Sequence, residues 1–187
     1  MKVEQTELAD VLIVEPQRFG DERGFFQETW HQDRYTDAGI GATFVQDNFS
    51  FSKRGVLRGL HLQHPSAQGK LVWVLQGAVY DVAADLRVGS PSFGRWVGVD
   101  LSLENGRQVW IPEGFAHGFC VVSETALLVY KCTDTYAPDN EITVVWNDPT
   151  LKIDWPVSNP IVSDKDAAGT RLSELDRNRL PRYTEPK

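Results

Sequence analysis

Short runs of β-branched and aromatic residues recur along most of the chain, each closed by Gly, Pro or Asn. This spacing limits the possible folds more than any other feature. VLIVEP (11–16) stops at Pro16, GFFQETW (24–30) is a second run, and ATFVQDNFSFS (42–52) alternates as a half-buried strand does. LVWVLQ (71–76) and VYDVAADL (79–86) flank Gly77 and read as a hairpin. RWVGVDLS (95–102) and RQVWIP (107–112) flank Asn105-Gly106, a strong hairpin dipeptide. GFCVVS (118–123), ALLVYKC (126–132) and ITVVWND (142–148) continue the series. With no repeat or low-complexity linker, the pattern predicts one all-β domain over residues 1–187, a sandwich or barrel. HQDRYTDAG (31–39) reads as a loop or short helix. The clearer helical signals lie near the end: Ser163 as N-cap of an acidic first turn, then LSELDRNRL (172–180), stopped by Pro181.

Charge and composition exclude some functions. The net charge of −7 argues against a nucleic-acid surface, which needs a basic field, although local Arg and Lys can still hold an anionic ligand. No apolar run reaches the roughly 20 residues that span a bilayer, so no membrane partner is expected. The start, MKVEQTELADVLIVEP, lacks the basic start and long apolar core of a signal peptide, and a cytoplasmic protein is expected. Cys120 and Cys132 each sit in an apolar run and read as buried free thiols.

The residues able to do chemistry concentrate in RGVLRGLHLQHPSAQGKLVWVLQG (54–77), which carries Arg58, His61, His64 and Lys70 on β-rich sequence. Cupin barrels bind a metal through H-x-H and a Glu on one hairpin and a His after P-x-G-x-x-H. Here His61 is followed by Gln63 where the second His would stand. Lys70 occupies the Glu position, seven residues before Gly77, while Pro112-Glu113-Gly114-Phe115-Ala116-His117 is intact. An ammonium has donors and no lone pair, so it repels a metal ion. A barrel that keeps a positive charge without a metal suits an anionic intermediate. His61 is then free to act as a base. On a strand, Gly59, His61 and Gln63 share one face. His64 precedes Pro65 and reads as a loop residue. Tyr130, in LLVYKC, carries a neutral phenol that can donate a proton, and Arg23 precedes Gly24 in a turn that lets backbone approach a partner.

The ordered set FGDERGFFQE, FVQDNFSFS, GVLRGLHLQ, GKL, SPSFG, IPEGFAHGF, YKCTDTYAP, WNDP and SDKD resembles the dTDP-4-dehydrorhamnose 3,5-epimerases, from about residue 3 to about 175. The resemblance implies a cupin-like jelly-roll barrel with short C-terminal helical segments, a homodimer, and no cofactor. The implied reaction inverts carbons 3 and 5 of dTDP-4-dehydro-6-deoxy-D-glucose. In this likeness His61 is the base, Asp166 its orienting partner, Lys70 the cation facing the carbon-4 oxygen, and Tyr130 the acid on the opposite face. Arg23 and Arg58 resemble diphosphate contacts. Gln46, Asp47, Asn48, Glu28, His117, Glu141 and Lys165 resemble further nucleotide-sugar contacts, and Tyr136 the aromatic that stacks on thymine. The N-terminal part, residues 1–50, resembles a segment exchanged in a dimer, with Phe19, Arg23 and Glu28 reaching the partner's site. Three rivals remain at this stage: a single-carbon epimerase or ketoisomerase, a non-catalytic nucleotide-sugar binder, and a metal-dependent cupin oxygenase. Gln63 and Lys70 disfavour the last.

Overall fold

The computed structural model describes residues 1–185. A six-stranded sheet runs in the order β1 (Lys2–Gln5), β2 (Leu12–Glu15), β10 (Gln108–Ile111), β7 (Lys70–Gln76), β12 (Thr125–Cys132), β5 (Gln46–Lys53). A five-stranded sheet runs β13 (Glu141–Thr143), β6 (Leu57–Gln63), β11 (Phe115–Val121), β8 (Ala78–Asp85), β9 (Trp96–Ser102). A separate hairpin, β3 (Arg18–Asp21) with β4 (Gly24–Gln27), belongs to neither. The strands pair antiparallel, and the fold is the expected all-β, cupin-like one. No helix among the described residues is long and apolar enough to cross a membrane.

From β5 onward the chain mostly changes sheet at each connection, as a jelly roll does. Two expectations are corrected by this. Gly77 does not close a hairpin, because β7 and β8 lie in opposite sheets, and neither does Asn105-Gly106, because β9 and β10 do too. Both positions do reverse the chain. Gly77 has φ 76° and leaves only 1.9 Å between an added Cβ and Thr125 O. Asn105 Oδ1 accepts from the Ser102 and Arg107 amides, and its Nδ2 donates to Asp100 O. Turn chemistry dictates the reversal; which sheet the next strand joins depends on where its apolar face can be buried.

The inner faces meet in a core that includes Val72, Val109 and Leu128 from one sheet and Val79, Leu101 and Phe119 from the other. Outside the six-stranded sheet, α1 (Gln32–Asp37) and the following residues cover Trp73 and Trp110 with Tyr35 and Ile40. Outside the five-stranded sheet, the C-terminal third covers Leu60, Leu62 and Val82 with Trp155, Leu172 and Leu180. Here the expected helix over 172–180 is corrected to two 3₁₀ turns, Leu172–Glu174 and Arg177–Arg179. Asp148 holds the Leu172 amide at 2.8 Å and Asp176 caps the Asn178 amide at 2.9 Å. These local bonds compete with a continuous helix and let both leucines be buried. The Ser163 cap is as expected: its Oγ accepts from the Asp166 amide at 3.1 Å and starts α2 (Asp164–Ala167).

One irregularity positions the site. In the β6–β11 ladder His117 pairs with His61 and Phe119 with Arg58, so Gly59 and Leu60 stand opposite the single residue Gly118. This bulge cancels the simple alternation. Arg58, three positions before His61, is thereby turned toward the same interior chamber. Gly59 sits at φ 124°, and a Cβ there would come within 2.5 Å of Gly118 Cα and 2.8 Å of His117 O. Gly55, at φ 78°, has open space instead. Gly59→Ala is expected to lower the unfolding free energy by about 2–4 kcal/mol, through strain and overpacking together. Gly55→Ala is expected to cost only about 1–2 kcal/mol. Urea unfolding of the two variants, compared with the parent, measures the difference.

Candidate active site

The sheets enclose two recesses, of ≈ 330 and ≈ 310 Å³, which share His61, Lys70, Tyr130 and Lys165 as walls. His61 comes from β6 in the five-stranded sheet, whereas Lys70 and Tyr130 come from the adjacent strands β7 and β12 in the other. The base candidate therefore faces the cation and the phenol across the chamber.

His61 Nε2 lies 2.6 Å from Asp166 Oδ1. Burial pushes the Asp166 carboxyl up, but the His61 imidazole, aided by Ser163 and the Gly59 backbone, outweighs it and holds the group below the usual carboxylate value. With Nε2 committed to a carboxylate, the Nδ1 lone pair of a neutral His61 is the one left for the chamber. Glu141 Oε1 stands 3.9 Å from the same nitrogen. Glu141 also ion-pairs with Lys165 and accepts from the Tyr136 hydroxyl at 2.7 Å. Burial works against that carboxyl's charge as well, yet the Lys165 and Tyr136 bonds keep its pKa depressed.

Lys70 opens β7, and among the described residues its ammonium forms no hydrogen bond or ion pair with the protein. Burial pulls its pKa below the ordinary lysine value, and the fields of Asp81 and Glu141 are among those that oppose the shift. Tyr130 pairs in register with Val72 and Asn48 and is half-buried. Burial raises its pKa, so its phenol stays protonated at neutral pH, and its hydroxyl has no protein partner among the described residues.

The other residues singled out in the sequence divide cleanly. Gln46, Asn48, Tyr136, Glu141 and Lys165 line the outer recess, and Arg58, His117 and Asp166 the inner one. Arg58 is steadied by Ser52, whose Oγ accepts from Nε at 3.1 Å. Asp47 stands outside the chamber, because β5 alternates and turns Gln46 and Asn48 inward; its carboxylate instead meets Lys131 at 2.7 Å. Phe19 and Arg23 lie on the β3–β4 hairpin, away from the chamber of their own chain, with Arg23 tied to Asp21. Glu28 pairs with Arg34 at 3.3 Å.

Sequence reasoning read Gln63 only as a replaced metal ligand and passed over Asp81. Gln63, in the place of a cupin ligand, is engaged by backbone: Nε2 donates to Ser66 O and Thr135 O, and Oε1 accepts from the Ala137 amide. It latches the rim of the chamber, with its oxygen already held by a backbone amide. With Lys70 alongside, this donor set does not fit a cation. Asp81 is buried on β8 against His117; the signal for it was a carboxylate at an inward position of the apolar run VYDVAADL.

Comparison with known proteins gives a consistent result. Residues 5–174 match the family model described as dTDP-4-dehydrorhamnose 3,5-epimerase. Enzymes of that name from Shigella flexneri and Pseudomonas aeruginosa are each 55% identical over 178 residues, covering 94% of this chain and 98% of theirs. The crystal structure of a dTDP-6-deoxy-D-glucose-3,5-epimerase from Legionella pneumophila, in complex with dTDP-4-keto-L-rhamnose, superposes with a TM-score of 0.96. It is 53% identical, with 98% of this chain and 99% of that one covered.

The unpaired ammonium has a measurable consequence. Lys70 has a lower pKa folded than unfolded. Its charged form therefore opposes folding below the folded value, and the cost fades as pH rises toward the ordinary lysine value. Lys70→Met is expected to raise stability at pH 7 by about 1 kcal/mol, with a smaller gain at pH 10. Denaturant unfolding at the two pH values measures it.

Proposed function

Because the chain belongs to the dTDP-4-dehydrorhamnose 3,5-epimerase family, we propose that it inverts carbons 3 and 5 of dTDP-4-dehydro-6-deoxy-D-glucose, giving dTDP-4-dehydro-L-rhamnose for deoxysugar biosynthesis. The observation that carries the mechanism is the opposition of His61, bonded to Asp166 at 2.6 Å, to Lys70 and Tyr130 on the facing sheet.

Hydrogens on carbons 3 and 5 both flank the carbon-4 ketone, so one base can reach either. His61 Nδ1 takes the proton, and Asp166 fixes the tautomer and stabilises the imidazolium that forms. The electron pair moves onto the carbon-4 oxygen, giving an enolate that faces the Lys70 ammonium. A preorganised donor at such an oxyanion is worth about 3 kcal/mol. Tyr130 returns a proton to the same carbon from the opposite wall, which inverts it. The scheme uses no cofactor.

Arg58 supplies a planar fork for the diphosphate, and Tyr136, Gln46 and Asn48 line the recess that receives the nucleotide. In a homodimer, the hairpin carrying Phe19 and Arg23, with Glu28 just beyond it, reaches the partner's chamber. Its separation from both sheets and the exposure of Phe19, Phe25 and Phe26 support this. Two buried free thiols suit a reducing compartment, and the reaction is assigned to the cytoplasm. No nucleic acid or membrane takes part.

Incubation with the keto-sugar in deuterated water tests the scheme. The wild type should gain deuterium at both carbons and release the inverted sugar, as read by proton NMR. His61→Ala should lose exchange at both; retained exchange would remove His61 as base. Tyr130→Phe should lose net inversion while keeping some exchange, and normal inversion by that variant would place the acid elsewhere. Inversion at only one carbon would identify a single-carbon epimerase.

A further inference from the structure

The hairpin β3–β4 pairs only with itself and belongs to neither sheet. An isolated two-stranded hairpin is marginal in water, so its pose depends on what ties it to the body. Arg18, its first residue, and Gln27, its last, are register partners and leave the same face. Arg18 Nε donates to Gln27 Oε1 at 2.9 Å. Beyond that link, the two side chains grip the turn between β9 and β10. Arg18 Nη2 donates to Leu103 O at 2.7 Å and Nη1 to Glu104 O at 3.1 Å, while Gln27 Nε2 donates to Gly106 O at 3.1 Å. Among the described residues these are the hydrogen bonds that join the hairpin to the rest of the chain. The turn they hold is itself braced, since Asn105 bonds the Ser102 and Arg107 amides and Asp100 O. Arg18 also stacks on Phe25, its guanidinium carbon 4.0 Å from the ring centroid. The opposite face carries Phe19 and Phe26, 56% and 69% exposed, and the connecting turn carries Arg23.

We propose that Arg18 and Gln27 are positioning residues: by clamping one face of the hairpin to the turn at 103–106, they aim its other face, with Phe19 and Arg23, into the chamber of a second copy of this chain. This rests on the epimerase and homodimer reading above. The clamp serves aim more than folding. Glu104 and Asn105 are exposed, and water can satisfy the carbonyls of such a turn. What water cannot supply is direction, whereas the planar fork of Arg18 holds two carbonyls at once and fixes orientation as well as distance. With the clamp open, a substrate would find the far part of its site in place only part of the time, and its apparent affinity would fall by that fraction.

Arg18→Met keeps the stem and removes the donors. It should raise KM for the keto-sugar about tenfold, the effect of an aimed pose that is only about one-tenth populated, with kcat within about twofold of the parent. The split follows because the hairpin meets the nucleotide end of the substrate and not the reacting carbons. Arg18→Lys, a charge without the fork, should fall between Arg18→Met and the parent. Heterodimers purified through two different tags show which chamber the clamp serves. An Arg18→Met chain paired with a His61→Ala chain has one chamber with a base, and the hairpin entering it is intact; its KM should be parental. An Arg18→Met/His61→Ala chain paired with the wild type has its working chamber served by the loosened hairpin, and KM should rise about tenfold. The reverse pattern, or a parental KM in the Arg18→Met homodimer, overturns the inference. Sedimentation and deuterium uptake of the wild type are measured in parallel. A monomer, or a protein that exchanges nothing, overturns the underlying reading and the clamp with it. A dimer that exchanges, and whose Arg18→Met variant keeps the parental KM, overturns the clamp alone.

Discussion

An ammonium group without a partner, held between two β-sheets, is the constraint around which this molecule is arranged. Lys70 gains nothing for folding by being there: burial lowers its pKa, and no carboxylate bonds to it among the described residues. Of the groups whose fields act on it, Cys132 is its register partner on β12, while the two carboxylates are already engaged, Asp81 by His117 and Glu141 by Lys165 and Tyr136. A direct ion pair would have been more stable and would have spent the charge. The arrangement leaves the cation available to whatever negative charge enters the chamber. In the proposed scheme that is the enolate oxygen.

The jelly roll contributes what a single sheet cannot, which is two facing walls. Inversion at carbon requires removal and return of a proton on opposite faces, and β6 and β12 stand on opposite sides of the chamber. Each wall carries its own support. His61 is anchored from a short helix outside the sheets, through Asp166, and the bulge at Gly59 adds Arg58 to the same interior. On the other wall, the inward row of β5 alternates small polar residues, from Gln46 to Ser52, that steady Arg58 and shape the outer recess.

Much of this was legible in the sequence, and the failures have physical causes. Strand positions followed from runs of β-branched residues, and the chamber that gathers His61, Lys70 and Tyr130 was signalled by Lys70 and Gln63 standing where a metal-binding barrel would place ligands. The destination of each strand was not legible: Gly77 and Asn105-Gly106 specify that the chain turns, while sheet membership depends on contacts far apart in sequence. The face of Arg58 was hidden by the bulge, which alternation does not foresee. The helix expected over 172–180 gave way to side-chain caps from Asp148 and Asp176, the first of them remote in sequence. Asp81 was hidden by its own apolar surroundings.

The central claim is that a lysine charge stabilises the intermediate, and exchange kinetics test it most directly. Lys70→Met, which removes the charge and keeps the side chain's bulk, should exchange the hydrogens on carbons 3 and 5 with deuterated water about 10²–10³-fold more slowly than the parent, with both carbons affected alike. Exchange at the parent rate would contradict the account, because the enolate would then be forming without the cation assigned to hold it.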